Sequence, residues 1–587
     1  MRNGLMGVAI VLAGMLPMQG VAAQETGKAA ITHEALWTMP RVSPAAISRD
    51  GRLAVVPVLE PAYEAGASQG DLWLVTTDGS QPPRRFTSDA ASESAPVFSP
   101  DGTRLAFVAK RAGDDAPQVY VMNLSGGEAQ RATSISTGAR APQFSPDGRT
   151  LLFVSDVDVG VKTDADQRRI DAQRKARDYN ARVYTGFPIR NWDRWIGERR
   201  PQVFVQPLDG GEAVNLLAGS TLVASPGYGG RGGLGSEELD AVWAPDGQAV
   251  LFIASRNRHR SAYSFTHLDI WQVPVTGGEP RRLTGRDGDG ADDGYSTLRF
   301  SPEGRHLFAL LGPRTDSVYN ATRLVRFDWP AMDARPVLQA PETLSISTYA
   351  IAPSGDEVLF SAEIEGQEAV FRGGFDGTPA RIVARPERGL YTHLALGGSA
   401  RNAVLLGSFE SATQPPEIVR IDAARGTHTA LTRFAAPHAE KLDLAPLEHF
   451  WFERDGRRIH NMLVRPPGFD PAKKYPLLVL MHGGPHTMWR DMWVLRWNYH
   501  LLAAPGYVVL LTNYTGSTGF GEPFARGIIG DPLRWTSTRP PTKPSPASIS
   551  STGNANAQAV RAMAGTWRTG CKAPRSATAA SSAMRAW

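Results

Sequence analysis

Short apolar runs recur through residues 40–400, separated by a polar turn of nearly constant sequence. Ser-Pro-Asp-Gly at 99–102, for example, lies between the apolar runs 97–98 and 105–108. Proline fixes its own φ and glycine accepts a positive φ, so the tetrapeptide predicts a tight turn between two strands. More or less complete copies of this phrase stand at 47–51, 97–102, 143–148, 242–247, 300–304, 351–355 and, in degenerate form, 396–398.

The spacing of these turns predicts a repeat architecture. Successive turn glycines lie 43 to 57 residues apart, except for a gap of 99 between Gly148 and Gly247, which holds either a hidden repeat or a long insertion. A second type of strand recurs between the turns, at 71–75, 118–121, 202–205 and 269–273. Four short strands per unit predict a β-propeller of seven or eight blades over residues 24–445.

The pattern changes after residue 450. Residues 450–464 predict a hairpin with an Asp-Gly turn. The uninterrupted apolar runs 475–481 and 506–512 predict two strands buried on both faces of a parallel sheet, with a helix between them over about 491–504. We therefore expect residues 446–535 to form the N-terminal part of an α/β-hydrolase domain, which is incomplete in this chain.

Two glycine-containing motifs follow the predicted strands of this second domain. His482-Gly483-Gly484 follows the first strand, and Asn-Tyr-Thr-Gly-Ser-Thr-Gly-Phe-Gly at 513–521 follows the second. Glycines leave backbone N–H groups open, which is what an oxyanion-binding loop requires. The backbone of His482-Gly483-Gly484 is therefore a candidate for stabilising a tetrahedral intermediate.

With the propeller turns, these motifs resemble the prolyl oligopeptidase (S9) family of serine peptidases over roughly residues 30–535. The phrase Arg-Asn-Trp-Asp-Arg-Trp at 190–195 is most similar to the bacterial acylaminoacyl-peptidase and dipeptidyl-peptidase branch. The resemblance implies cleavage of short peptides near their N-terminus, with the propeller restricting access and no cofactor. It places His482, Gly483 and Gly484 in the oxyanion loop. Candidate substrate-binding residues are Arg190, Trp192 and Trp195; the alternative is that this stretch is a solvated loop without a role.

The catalytic residues of the family are not found. The family carries its nucleophile on Gly-x-Ser-x-Gly, followed by an aspartate and a histidine. The one match, at 66–70, lies in a polar loop ahead of a propeller strand. We therefore predict an S9-type peptidase by descent that lacks the Ser-Asp-His triad and is inactive. The alternatives are a non-catalytic periplasmic propeller that binds partners, and an unstable relic without function.

Other motifs do not predict a metal or cofactor site. The glycine-rich segment 227–232 lacks a strand-to-helix context, and 287–293 lacks the EF-hand spacing. His482 and His486 are four residues apart, but Gly-Gly-Pro between them excludes the helix that metal-binding pairs use. Cys571 is the single cysteine, which excludes an intrachain disulfide and a cysteine-based metal cluster.

The ends of the chain differ from its body. Residues 1–23 predict a signal peptide cleaved after Ala23, hence a periplasmic or secreted protein without a membrane span. Residues 536–587 contain seven basic and no acidic residues, and 32 of these 52 positions are Ala, Ser, Thr or Pro. Without this tail the net charge of +5 becomes −2, so nothing indicates a nucleic-acid partner. The tail is either natural disorder or the product of a reading-frame shift near residues 533–535.

Overall fold

The computed structural model describes residues 27–529 except 185, 192, 233–236, 286–293, 314–318, 333–335, 342–343, 455 and 485. The predicted signal peptide and the tail 536–587 therefore lie outside the described residues. The first three blades and the small hairpin inserted in the third are built from β1 (Arg41–Val42), β2 (Ala46–Ile47), β3 (Leu53–Glu60), β4 (Gln69–Thr76), β5 (Arg84–Arg85), β6 (Glu93–Phe98), β7 (Arg104–Ala109), β8 (Gln118–Asn123), β9 (Gln130–Arg131), β10 (Arg140–Phe144), β11 (Thr150–Val157), β12 (Arg190–Asn191), β13 (Arg194–Trp195), β14 (Arg200–Pro207) and β15 (Val214–Asn215).

The fourth to seventh blades follow in the same order, with a two-stranded ribbon (β16 and β17) ahead of the fourth. Their strands are β16 (Arg231–Gly232), β17 (Glu237–Glu238), β18 (Val242–Trp243), β19 (Ala249–Ala254), β20 (Asp269–Pro274), β21 (Arg281–Arg282), β22 (Tyr295–Phe300), β23 (His306–Leu311), β24 (Arg323–Asp328), β25 (Ile346–Ile351), β26 (Glu357–Ile364), β27 (Gln367–Gly374), β28 (Arg381–Ala384), β29 (Leu390–Gly398), β30 (Ala403–Ser411), β31 (Gln414–Asp422) and β32 (Thr427–Ala430).

The β-propeller is confirmed, and its described blades are seven antiparallel sheets in sequence order, in addition to the two-stranded ribbons β12–β13 and β16–β17. The 99-residue gap is a long insertion rather than a hidden blade, because β11 pairs directly with β14 across residues 158–199. The helices are α1 (His33–Trp37), α2 (Asp164–Lys175), α3 (Thr221–Ala224), α4 (Ala436–Ala439), α5 (Tyr499–Ala503) and α6 (Glu522–Arg526), with a 3-10 helix at Arg258–Arg260.

Local chemistry explains why each Ser-Pro-Asp-Gly phrase makes a turn. The Ser99 hydroxyl donates to Asp101 Oδ1 at 2.5 Å, and the same carboxylate accepts from the Thr103 N–H at 3.0 Å. These bonds lower the pKa of Asp101 to about 2. Gly102 has a φ of +71°, which favours glycine. Each turn is therefore stabilised by hydrogen bonds within its own sequence. It joins the innermost strand of a blade to the second strand of the same blade.

The propeller core lies between neighbouring blades. Val203 of blade 3 and Phe252 of blade 4, both fully buried, belong to one apolar cluster. The ring closes in the same way, because Val56 of blade 1 packs in one cluster with Ile418 of blade 7. The Gly398 N–H also donates to the Arg49 carbonyl at 3.0 Å. Each blade thus packs its apolar side chains against the neighbouring blades, as in other propellers.

The second domain forms one sheet in the order β33 (Glu448–Arg454), β34 (Arg457–Val464), β36 (Val508–Asn513), β35 (Leu477–Met481). The predicted hairpin is confirmed as β33 and β34, and β35 pairs parallel with β36. The helix predicted over 491–504 is wrong in its first half, since α5 begins only at Tyr499. The reason is that residues 490–493 bond to the propeller instead, as described below.

The prediction that both parallel strands are buried on both faces holds for β36 and is wrong for β35. In the described part of the sheet β35 is an edge strand, with Val479 38% and Met481 54% exposed. None of the described helices is long and apolar enough to cross a membrane.

An apolar edge strand is a template for pairing with another chain. We expect Val479→Lys to reduce self-association of the full chain, because a charge on such an edge opposes strand addition. Size-exclusion chromatography with light scattering measures this. Val214→Lys, at an equally exposed valine (43%) on the short strand β15, is the matched control. Equal self-association of both variants and the parent chain would show that the chains do not associate through β35.

Candidate active site: the oxyanion loop at the domain interface

The predicted oxyanion loop lies where two parallel strands end side by side. His482 follows β35, and Tyr514 follows the neighbouring strand β36. The Tyr514 hydroxyl donates to the His482 carbonyl at 2.5 Å, and the two rings stack with centroids 4.4 Å apart. The structure thus brings together the two glycine-containing motifs that the sequence analysis identified, because carboxyl ends of parallel neighbours share one edge.

His482 is held from its other side by Ser517. Its Nε2 lies 2.7 Å from Ser517 Oγ, and this hydroxyl also lies 2.7 Å from the Tyr514 carbonyl. Burial lowers the pKa of His482, so the ring is neutral at pH 7 and carries one N–H. Because the single Ser517 O–H donates to the Tyr514 carbonyl, the Ser517 oxygen accepts from the Nε2–H of His482. The Nδ1 atom of the same ring lies 3.2 Å from the Gly483 carbonyl. The two hydrogen bonds of the Ser517 hydroxyl fix the histidine.

The glycines of the loop leave its backbone open. A Cβ added at Gly483 would meet nothing within 4 Å, and in the described part of the chain no acceptor bonds its N–H. Gly484 has a φ of +128°, and a Cβ there would lie 2.9 Å from the His486 nitrogen. A side chain at 484 is therefore excluded, whereas the N–H of Gly483 borders free space, as an oxyanion donor must.

The residues that follow the loop contact the propeller directly. The His486 ring lies 4.9 Å from the ring of Tyr319, which follows the fifth-blade strand β23, and His486 Nε2 lies 3.0 Å from the Ala525 carbonyl. Burial lowers the pKa of His486. The candidate site is therefore at the interface of the two domains.

Asp491 makes a buried polar contact across this interface. It is 2% exposed, and its carboxylate accepts from the N–H groups of Gly389 at 2.9 Å and Ala412 at 2.8 Å, both in blade 7 or its entry. Its own N–H donates to the Gly366 carbonyl of blade 6 at 2.8 Å. Burial alone would raise the pKa of Asp491, but hydrogen bonds to His449 and to these two amides outweigh it and lower the pKa.

A charge cluster surrounds this contact. Arg490 pairs with Glu368, which is 1% exposed, and lies 3.8 Å from Glu363. The Trp493 N–H donates to Glu410 Oε2 at 2.9 Å. Burial raises the pKa of Glu368, and it raises the pKa of Glu410 to about 7. The segment following the oxyanion loop is thus bound to the hairpin ends of blades 6 and 7.

His460 on β34 completes the interface. It is 1% exposed, its Nε2 lies 3.1 Å from His449 Nδ1, and its Nδ1 accepts from Asn513 Nδ2 at 3.1 Å. Burial lowers its pKa to about 3. A Cβ at Gly366 would come within 2.7 Å of its ring, so the sixth-blade turn lies directly on it. The His460 ring therefore packs in the domain interface and is not a candidate for proton transfer at the oxyanion loop.

The predicted substrate-binding residues lie elsewhere. Arg190 and Trp195 face each other across the β12–β13 hairpin, with the guanidinium 5.4 Å from the ring and Trp195 52% exposed. Trp192 lies outside the described residues. Among described residues no contact joins Arg190 or Trp195 to the oxyanion loop, so their role in substrate binding stays a prediction.

The remaining motifs are placed as follows. The Gly-x-Ser-x-Gly match at 66–70 lies between β3 and β4, where Ser68 Oγ accepts from the Ala62 N–H at 3.0 Å. It is not a strand-to-helix turn. The acidic segment 287–293 lies outside the described residues. Within the described ranges, no three His, Cys, Asp or Glu side chains form a group that could hold a metal ion.

Sequence reasoning missed Glu410, His460 and Asp491. None stands in a Ser-Pro-Asp-Gly turn or another recognisable motif, and each acquires its environment only when the two domains meet. The local pattern at Asp491-Met492-Trp493 predicts a helix and contains no sign of the contact with the propeller.

Comparison with known proteins agrees with this architecture. A profile for the Tricorn protease N-terminal beta propeller domain matches residues 65–226. Dipeptidyl-peptidase 5 of Porphyromonas gingivalis is 28% identical over 89% of this chain and 73% of its own length. Dipeptidyl-peptidase 5 of Trichophyton schoenleinii is 29% identical over 60% of this chain and 49% of its own.

Solved structures show the same fold. Pyrococcus horikoshii acylaminoacyl peptidase superposes with a TM-score of 0.61 at 17% identity, covering 84% of this chain and 68% of that one. The propeller and the dipeptidyl-peptidase 5 relatives support the resemblance of this chain to the prolyl oligopeptidase (S9) family of serine peptidases.

Proposed function

We propose that this chain carries the propeller and the oxyanion loop of an exported S9 peptidase acting on dipeptidyl or acylaminoacyl ends of short peptides, and that by itself it hydrolyses none. The relatives named dipeptidyl-peptidase 5 support the substrate class. The environment of Ser517 supports the absence of hydrolysis.

Ser517 is the hydroxyl that contacts His482 in the described part of the chain, and it is unsuited to be a nucleophile. It is 0% exposed and is bonded to the Tyr514 carbonyl. The second nitrogen of His482 faces the Gly483 carbonyl, where a catalytic base needs a carboxylate to orient it. The Ser–His pair therefore holds the loop, which could bind an oxyanion without a nucleophile to create one.

A fluorophosphonate probe tests this proposal. We expect no labelling of the full chain and no release of coumarin from dipeptidyl-coumarin substrates, because no described serine is both exposed and activated. Porphyromonas gingivalis dipeptidyl-peptidase 5 is the positive control. Labelling of the parent chain would overturn the proposal, and its loss in Ser517→Ala would identify Ser517 as the nucleophile.

Export is supported by the charged and apolar sequence at the N-terminus. We expect protein recovered from the periplasm of a bacterial host to begin at Gln24. Mass spectrometry of the intact protein and of its N-terminal peptide measures this. Recovery of residues 1–23 on protein confined to the cytoplasm would contradict it.

A further inference from the structure

A cavity of about 600 Å³ lies among the inner strands of blades 3 to 7, at the propeller end away from the oxyanion loop. Phe144, Phe300 and Ile351, which line it, each lie just before a turn of the Ser-Pro-Asp-Gly type. The contacts to the second domain come instead from the opposite strand ends, such as the 364–367 hairpin turn. The cavity is therefore separate from the candidate active site.

Its wall carries one uncompensated positive charge. Arg299 lines the cavity and is exposed there, with its guanidinium 5.7 Å from the ring of Tyr349. No carboxylate among the described residues pairs with it. Asp240, which also lines the cavity, is already paired with Arg231 at 2.9 and 3.1 Å and accepts from the Thr297 N–H at 3.2 Å.

The wall around Arg299 also carries apolar side chains. Phe144, Val242, Phe300, Ile351 and Leu396 come from five different blades. Gln143 adds an amide, whose Nε2 donates to the Ala241 carbonyl at 2.6 Å. A cavity of this size that combines apolar side chains with convergent polar groups has the character of a small-molecule site.

We propose that this cavity binds the C-terminal end of a short apolar peptide, with Arg299 pairing with the terminal carboxylate. A single guanidinium fits one carboxylate, which it can bond through two parallel N–H groups. The surrounding rings and aliphatic side chains contact the last side chain of the peptide. The choice of a peptide rests on the proposed function, whereas carboxylate binding at Arg299 does not require hydrolysis.

Calorimetric titration of the full chain with Ala-Ala-Phe and with its C-terminal amide tests the proposal. We expect the acid to bind at least tenfold more tightly than the amide, and Arg299→Gln to remove this difference while leaving amide binding unchanged. Arg299→Lys should retain part of the preference. Arg305→Gln, 71% exposed in the same blade outside the cavity, should behave as the parent chain.

Three outcomes would overturn the proposal: no binding of the acid at millimolar concentration, equal binding of acid and amide, or an unchanged preference in Arg299→Gln with an unchanged melting temperature. Displacement of the peptide by inorganic phosphate at similar concentration would indicate a general anion site and overturn the peptide assignment. Each result is independent of fluorophosphonate labelling, so failure here is distinguishable from failure of the proposed function.

Discussion

Asp491→Asn is expected to loosen the second domain from the propeller and to lower the free energy of unfolding by about 2–4 kcal/mol. The carboxylate accepts from the N–H groups of Gly389 and Ala412 inside the interface. An asparagine presents one oxygen and one NH₂ group there, so one buried amide loses its acceptor and faces a donor. Urea denaturation measures the loss, and limited proteolysis between residues 430 and 448 shows whether the domains separate.

Asp376→Asn is the matched control. Asp376 is exposed, and its carboxylate also accepts from a backbone N–H, that of Thr378 at 3.0 Å. A change below about 0.5 kcal/mol is expected there. If Asp491→Asn unfolds at the same urea concentration as the control and resists protease equally, the interface does not depend on this carboxylate.

The loss would matter beyond stability because the oxyanion loop and Asp491 belong to one continuous segment. The described residues of 482–491 lie outside helices and strands and lead from the end of β35 to the propeller. The position of Gly483 is therefore set by His482 at one end and by the interface at the other.

The propeller could be predicted from the sequence because each turn is a local structure. Ser145 bonds to Asp147 as Ser99 bonds to Asp101, so one phrase repeats the same geometry wherever it stands. The number of blades required the structure, since only the pairing of β11 with β14 identifies residues 158–199 as an insertion.

The open backbone of the predicted oxyanion loop could be foreseen for the same reason, and its surroundings could not. Two glycines after an apolar run mark an open backbone locally, whereas Glu410 stands in a strand whose sequence differs little from other propeller strands. Glu410 matters because it accepts a hydrogen bond from the N–H of Trp493, 83 residues later. No local sequence pattern predicts such a contact.

Buried acids in this interface are expected to make stability depend on pH. Glu410 is 8% exposed, and burial raises its pKa from 4.5 to about 7, while Arg490 lowers and Glu368 and Asp491 raise it by smaller amounts. Between pH 4.5 and 7 the folded chain therefore holds a proton that the unfolded chain releases. A folded state that binds more protons loses stability as the pH rises through this window.

Glu410→Gln is expected to remove this dependence and to be more stable than the parent chain by about 3 kcal/mol above pH 7, with no difference near pH 4.5. The glutamine oxygen can still accept from the Trp493 N–H, so the main change is the removal of a buried charge. Urea denaturation at pH 4.5, 6 and 8 measures the difference. Glu440→Gln, an exposed acid paired with Arg433, should show no such growth with pH. A Glu410→Gln difference that stays constant from pH 4.5 to 8 would mean that Glu410 titrates normally, and that its acceptor role, rather than its charge, governs the contact.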